Sequence, residues 1–95
     1  MAGTVVILTW EFAIPGCRSL KQKRMAVRSL RDRLRHRFNL SVAETDHQDI
    51  HDRAQLTAAL VTSDGRLAGS ISDRVDDFVA EEGRMVILSF RSERL

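Results

Sequence analysis

The chain lacks most of what a secreted or membrane protein needs. It has one cysteine, so no disulfide can form within it and no cysteine-based zinc cluster is expected. Its longest apolar runs are four residues, whereas a membrane-spanning helix needs about 20. The N-terminus shows no basic leader followed by an apolar stretch. We therefore expect a cytoplasmic protein with no membrane segment.

The composition is otherwise that of an ordinary globular protein. Apolar residues make up 43% of the 95 residues and charged residues 29%, which is too apolar for a wholly disordered chain. A chain of this length is typical of one domain, so residues 1–95 are expected to fold as a single unit.

Hydrophobic spacing predicts strands and helices in the order strand, helix, strand, strand, helix, strand. Apolar residues alternate in the strands and recur every three or four positions in the helices. The strands are predicted at 4–14, 40–45, 53–62 and 85–90, with helices between Ser19 and Asn39 and between Asp64 and Gly83. This order favours an α+β, ferredoxin-like fold, whose four-stranded antiparallel sheet carries both helices on one face. Residues 92–95 are expected to fray.

The first helix carries most of the positive charge. Nine of the twenty residues from Arg18 to Arg37 are basic and one is acidic, a net charge of +8, while the rest of the chain carries −6. Ser19 and Gln22 form a capping-box pattern at its start. The predicted buried stripe consists of Leu20, Val27, Leu30, Leu34 and Phe38. Such charge asymmetry indicates a polyanionic partner.

A row of cations is expected beside the buried stripe, within an arc of about 80° on the helical wheel. This cation row consists of Lys21, Arg24, Arg28, Arg31 and Arg35. The candidate phosphate-binding residues are Arg18, Lys21, Arg24, Arg28, Arg31 and Arg35. Guanidinium groups pair well with phosphate but carry no information about base sequence. The alternative is that these residues pair with the acidic second helix, which contains Asp73, Asp76, Asp77, Glu81 and Glu82.

The sheet face away from the helices is expected to be partly apolar. The candidate oligomer interface there consists of Val5, Ile7, Ala59, Val61 and Ile87, because an exposed apolar patch suggests association. Trp10, Phe12 and Phe90 are instead predicted on the helix-covered face. Base stacking on the open face, as in many RNA-binding modules, is therefore disfavoured.

The segment from Asp46 to Asp52 concentrates two histidines and three carboxylates. These residue types bind metals or move protons, but the segment is predicted to be a hairpin loop, and no metal-binding or phosphate-loop motif accompanies it. Cys17 is expected to be an ordinary loop residue, since no base can be placed beside it. No catalytic residue, metal site or cofactor is predicted.

Two segments resemble the YlxP-like family of small bacterial proteins of unknown function. They are Ile14 to Arg24, with the pattern IPG-x-RSLK-x-KR, and 37–49, which reads RFNLSVAETDHQD. The resemblance covers nearly the whole chain, although Gln22 stands where the family commonly has glutamate. It implies a ferredoxin-like fold, and the family's frequent gene neighbourhood among translation and ribosome-maturation genes implies a role near ribosomal RNA. It implies no catalytic residue.

Three hypotheses follow. The leading one is a non-enzymatic RNA- or ribosome-associated protein that contacts phosphates through its first helix. The alternative is a homodimer or larger homo-oligomer that associates through the open sheet face. An enzyme or metal protein built on His47, Asp49 and His51 ranks behind both.

Overall fold

The chain folds in the predicted order, in a computed structural model that describes residues 3–95. The elements are β1 (Thr4–Ala13), α1 (Leu20–Arg37), β2 (Leu40–Asp46), β3 (Arg53–Thr62), α2 (Gly65–Ala80) and β4 (Val86–Arg94). The four strands form one antiparallel sheet in the order β2-β3-β1-β4. This is the ferredoxin-like arrangement that the sequence predicts.

The core lies between the sheet and the two helices. Its largest buried side chains on β1 are Trp10 and Phe12, neither of which is exposed to solvent. The small side chain of Ala54 on β3 lies opposite Phe12, so bulk on one strand is matched by space on its neighbour. The two helices cover different strands of the sheet. Helix α1 packs over β2, and α2 packs over β1, β3 and β4. One flank of α1 therefore lies at the β2 edge of the sheet, where α2 does not cover it.

Strand β4 differs from the prediction at both ends. It continues to Arg94, and the Leu95 amide donates to the Val5 carbonyl, so residues 92–94 belong to the ladder and the expectation that they fray at the end of the chain was wrong. At the other end, the β1–β4 register shifts between Glu11 and Phe12. Such a bulge inserts an extra residue into one strand and changes which face the following side chains share.

The bulge moves Ile87 to the opposite face from the predicted one. Ile87 pairs with the buried Phe12 and packs against the core, and Met85 is also buried in the core. The assignment of Ile87 to the open-face interface was therefore wrong. Phe90 does lie on the helix-covered face, where its ring stacks on Trp10 at a centroid distance of 5.3 Å.

Candidate nucleic-acid interface

Helix α1 begins as the sequence predicts. The Ser19 hydroxyl oxygen accepts a hydrogen bond from the Gln22 amide at 3.1 Å. The Gln22 side chain closes the cap one residue earlier than a standard capping box does, because its Oε1 accepts from the Arg18 amide at 2.9 Å. The helix ends at Arg37 with Phe38 as its C-terminal cap, close to the predicted end at Asn39.

The cation row lies along the β2 flank of α1. Arg24, Arg28 and Arg31 line a small cavity of about 110 Å³ together with Val27 and Glu44, and Glu44 belongs to β2. Arg24 and Arg28 are exposed, whereas Arg31 is half-buried. Three guanidinium groups around one concave site form an arrangement suited to a phosphate group.

Two members of the row make contacts within the protein. Arg35 Nη2 donates to the Val42 carbonyl on β2 at 2.8 Å, and Arg31 Nε lies 3.2 Å from Asp32 Oδ1 on the same helix. Within residues 3–95, the side chains of Lys21, Arg24 and Arg28 form neither an ion pair nor a hydrogen bond. These three residues of the row are therefore available to a ligand. Arg18, just before the helix, is also exposed, and within residues 3–95 only its backbone amide forms a hydrogen bond.

The acidic second helix does not neutralise the row. Asp76 of α2 instead accepts a hydrogen bond from Trp10 Nε1 at 2.9 Å. The ion pair between α1 and the segment after α2 is formed by Arg33, which is outside the row, and Glu82. Among the described side chains, no ion pair joins the row to α2. The row and the acidic residues of α2 thus lie on different sides of α1.

Glu82 is a buried carboxylate held between two arginines. Its Oε1 accepts hydrogen bonds from the Arg84 amide at 3.0 Å and from Arg84 Nε at 3.2 Å, and its Oε2 pairs with Arg33. Burial by itself would raise the pKa of Glu82, but the hydrogen bonds from Arg33 and Arg84 and the charge of Arg33 outweigh it, so the pKa lies below its ordinary value. This contact fixes the end of α2 to α1.

Lys23 is a basic residue of α1 that the sequence reasoning counted but did not single out. It is fully buried, and its Nζ donates to the carbonyls of His47 and Arg53, the latter at 3.1 Å. It also lies 2.9 Å from Glu44 Oε2, a buried oxygen that accepts no hydrogen bond within residues 3–95. Lys23 therefore ties α1 to β2 and to the hairpin loop.

A signal for this burial was present in the sequence. Lys23 lies four residues before Val27 and seven before Leu30, so it occupies a position on the buried stripe of α1. Two of its partners, Glu44 and His47, lie in the second segment that resembles the YlxP-like family. The two segments of the resemblance meet at this buried ammonium group.

The histidine-rich segment forms a turn in which its side chains separate. His47 has a positive φ of 63°, and its Nε2 lies 2.9 Å from Glu11 Oε2 on the open face of the sheet. Glu11 Oε1 accepts from Gln55 at 2.6 Å, whereas Asp49 and His51 are exposed. Within residues 3–95, no group of three or more histidine, cysteine or acidic residues could hold a metal ion.

The rest of the predicted open-face patch is present without Ile87. Val5 pairs with Val61 and Ile7 with Ala59 across β1 and β3. Val61 is 65% exposed, whereas Val5, Ile7 and Ala59 are half-buried. The exposed apolar surface is therefore narrow and is centred on Val61.

An apolar cavity that the sequence analysis did not predict opens beside the N-terminal end of α1. It has a volume of about 500 Å³, and its lining includes Ile14, Cys17, Met25, Val86 and Arg84. Cys17 Sγ lies 3.4 Å from the Ser19 carbonyl oxygen. The lining contains no histidine, so the cavity supplies no imidazole base to the thiol.

Comparison with known proteins places the chain in a family. The family model described as "Protein of unknown function (DUF503)" matches residues 5–92. The chain belongs to the DUF503 family. No curated protein matches the sequence. In the described part of this DUF503 chain, no helix is long and apolar enough to cross a membrane.

The DUF503 chain also resembles a solved structure. The "De novo designed protein Foldit4" superimposes with a TM-score of 0.55 at 8% sequence identity, and the alignment covers 95% of this chain and 96% of that one. At this identity the likeness supports the fold alone, because one fold can carry many functions. The family and the fold are thus established, and the function has to be argued from the surface.

Proposed function

We propose that this DUF503 protein is a non-enzymatic, cytoplasmic RNA-binding protein, associated with the ribosome or its maturation, that contacts phosphates through α1. The observation that carries the proposal is the exposed cation row on the β2 flank, separated from the acidic residues of α2. The resemblance to the YlxP-like family supports the same class of partner, because genes of that family often lie among translation and ribosome-maturation genes. No cofactor is part of the proposal.

The geometry favours contact with the phosphate backbone. From Lys21 to Arg35 the row extends over 14 residues, or about 21 Å of helix, and Arg24, Arg28 and Arg31 surround one small cavity. That cavity is lined by no aromatic residue, and both Trp10 and Phe12 are buried in the core. Stacking on bases is therefore no part of the interface, and binding should depend on RNA shape and charge more than on sequence.

A salt series with a structured RNA hairpin tests the proposal. The variant Arg24→Ala/Arg28→Ala removes two exposed cations that form no ion pair within residues 3–95. Each phosphate contact contributes roughly 0.7–0.9 to the slope of log affinity against log salt, so removing two contacts should make the slope shallower by about 1.4–1.8. Fluorescence anisotropy of labelled RNA gives the affinity at each salt concentration.

The matched control is Arg66→Ala/Arg74→Ala, which removes the same charge from exposed positions of α2. This variant should retain most of the wild-type slope and affinity. The proposal is wrong if the wild-type protein fails to bind RNA at low salt, or if the control loses as much affinity as the row variant. Equal binding to a DNA duplex of the same length would contradict the choice of RNA.

A second candidate function is association of identical copies through the open sheet face. Its support is Val61, which is 65% exposed and lies across from Val5. Val61→Asp should then shift the protein from oligomer to monomer in light scattering. An unchanged oligomeric state in this variant would eliminate the open face as the interface.

A further inference from the structure

The outer edge of β4 is open to another strand. In the order β2-β3-β1-β4, both β2 and β4 lie at an edge of the sheet. β4 is nine residues long, and all of it except Ile87 is exposed. A long exposed edge presents unpaired backbone N–H and C=O groups to other chains, and proteins usually protect such edges.

The two edges of the sheet are protected differently. On β2, Arg35 of α1 donates to the Val42 carbonyl, so a helix side chain occupies a backbone acceptor of that strand. No side chain of residues 3–95 forms a hydrogen bond with the backbone of β4. β4 is therefore the edge at which a further strand can be added.

The outward-facing backbone groups of β4 can be assigned from the last hydrogen bond of the ladder. The Leu95 amide donates to Val5 on β1, and backbone groups alternate in direction along a strand. The amides and carbonyls of Phe90, Ser92 and Arg94 consequently point away from β1. These three residues form the hydrogen-bonding edge.

The charges along this edge are self-complementary. Arg91 lies opposite Thr9, and Glu93 lies opposite Ile7, so both side chains are on the open face. If two copies of β4 pair antiparallel with Ser92 opposite Ser92, each Arg91 lies opposite the Glu93 of the other copy. Centring the pair on Arg91 or Glu93 would instead place like charges opposite each other, which is unfavourable.

The other face of the strand fits the same register. Phe90 is 38% exposed and would lie opposite Arg94 of the second copy. A guanidinium group over an aromatic ring is a favourable contact. In this register Phe90, Ser92 and Arg94 form the hydrogen-bonded pairs, while Arg91 and Glu93 form the non-hydrogen-bonded pairs, in which side chains are closer.

We infer that the partner of β4 is a second copy of this chain, paired antiparallel about Ser92 to give a continuous eight-stranded sheet. Two chains related by a twofold axis bury the same surface on each. The inference is independent of RNA binding, because β4 and the cation row lie at opposite edges of the sheet.

Charge reversal tests both the partner and the register. Sedimentation equilibrium of the full chain over a range of concentrations should show a monomer–dimer equilibrium. Arg91→Glu or Glu93→Arg alone places like charges opposite each other twice and should raise the dissociation constant by at least about tenfold. The double variant Arg91→Glu/Glu93→Arg exchanges the charges and should restore dimerisation to within about threefold of wild type.

Both residues are exposed, so circular dichroism should show that each variant keeps its fold. A wild-type protein that stays monomeric at every concentration would overturn the inference. A dimer insensitive to either single reversal would do the same, as would a double variant that fails to recover. Loss of the dimer in Val61→Asp, with no effect of the charge reversals, would assign association to the open face instead.

Discussion

Lys23 Nζ of α1 lies 2.9 Å from Glu44 Oε2 of β2, and Lys23 is completely buried. The same ammonium group donates to backbone carbonyls of His47 and Arg53. A single side chain thus holds a helix, an edge strand and a loop together. The β2 flank that carries the cation row depends on this contact for its shape.

Replacing Lys23 by Met should destabilise the protein strongly. The variant leaves the Glu44 carboxylate and the carbonyls of His47 and Arg53 without their buried partner. Breaking a buried ion pair in this way costs about 3–5 kcal/mol. Urea denaturation measures the loss in the free energy of unfolding. Lys21→Met, at an exposed position of the same helix, should change stability by no more than about 0.5 kcal/mol. A loss below about 1 kcal/mol for Lys23→Met would contradict the role assigned to Lys23.

Glu82→Gln should make the protein less stable in a pH-dependent way. The pKa of Glu82 is lower in the folded chain than its ordinary value of 4.5, so its contribution is fully present above 4.5 and is lost as the pH falls through the folded value. Charge-assisted hydrogen bonds contribute about 1.5–3 kcal/mol each. The stability difference between wild type and variant, from urea denaturation, should be largest at neutral pH and should shrink in acid. A difference independent of pH would show that the ionised carboxylate is unimportant.

Asp76→Ala should leave the Trp10 indole N–H without its acceptor. Trp10 is fully buried, and an unsatisfied buried donor costs about 1–3 kcal/mol. Thermal unfolding followed by tryptophan fluorescence reports both the stability and the environment of the ring. Asp73→Ala removes an exposed carboxylate from the same helix and serves as the control. Equal effects of the two substitutions would argue against the hydrogen bond.

Gly16→Ala and Gly83→Ala form a matched pair at two loop positions. A Cβ added at either site meets no atom within 4 Å, but Gly16 has a φ of +75° and Gly83 has no positive φ. Gly16→Ala should therefore cost about 1–2 kcal/mol through backbone strain, whereas Gly83→Ala should be neutral or stabilise by up to about 1 kcal/mol. Chemical denaturation of both variants measures the contrast, and similar effects at the two sites would refute it.

The order of elements and the burial of β1 were predictable because they depend on local spacing. Alternating apolar residues placed Trp10 and Phe12 in the core, and Ser19 with Gln22 marked the start of α1. The ferredoxin-like topology followed from the order of the elements. These features require only the periods of a strand and a helix, which are the same in every protein.

The face of Ile87 could not be predicted in this way. A bulge in the β1–β4 ladder changes the alternation of side chains, and its position depends on how two strands far apart in the sequence pair. The extent of β4 was underestimated for a related reason. Its polar end at residues 92–94 is held by pairing with β1, which local composition does not reveal.

The cation row was recognised in the sequence, but its partners were decided by the tertiary structure. The sequence alone determined that the segment from Arg18 to Arg37 carries a net charge of +8 and that five of its cations share a face, namely Lys21, Arg24, Arg28, Arg31 and Arg35. Only the packing of α1 over β2 and of α2 over the other strands separated that face from the acidic residues of α2. Charge along a chain is a local property, whereas its neutralisation depends on which surfaces the fold brings within a few ångströms of each other.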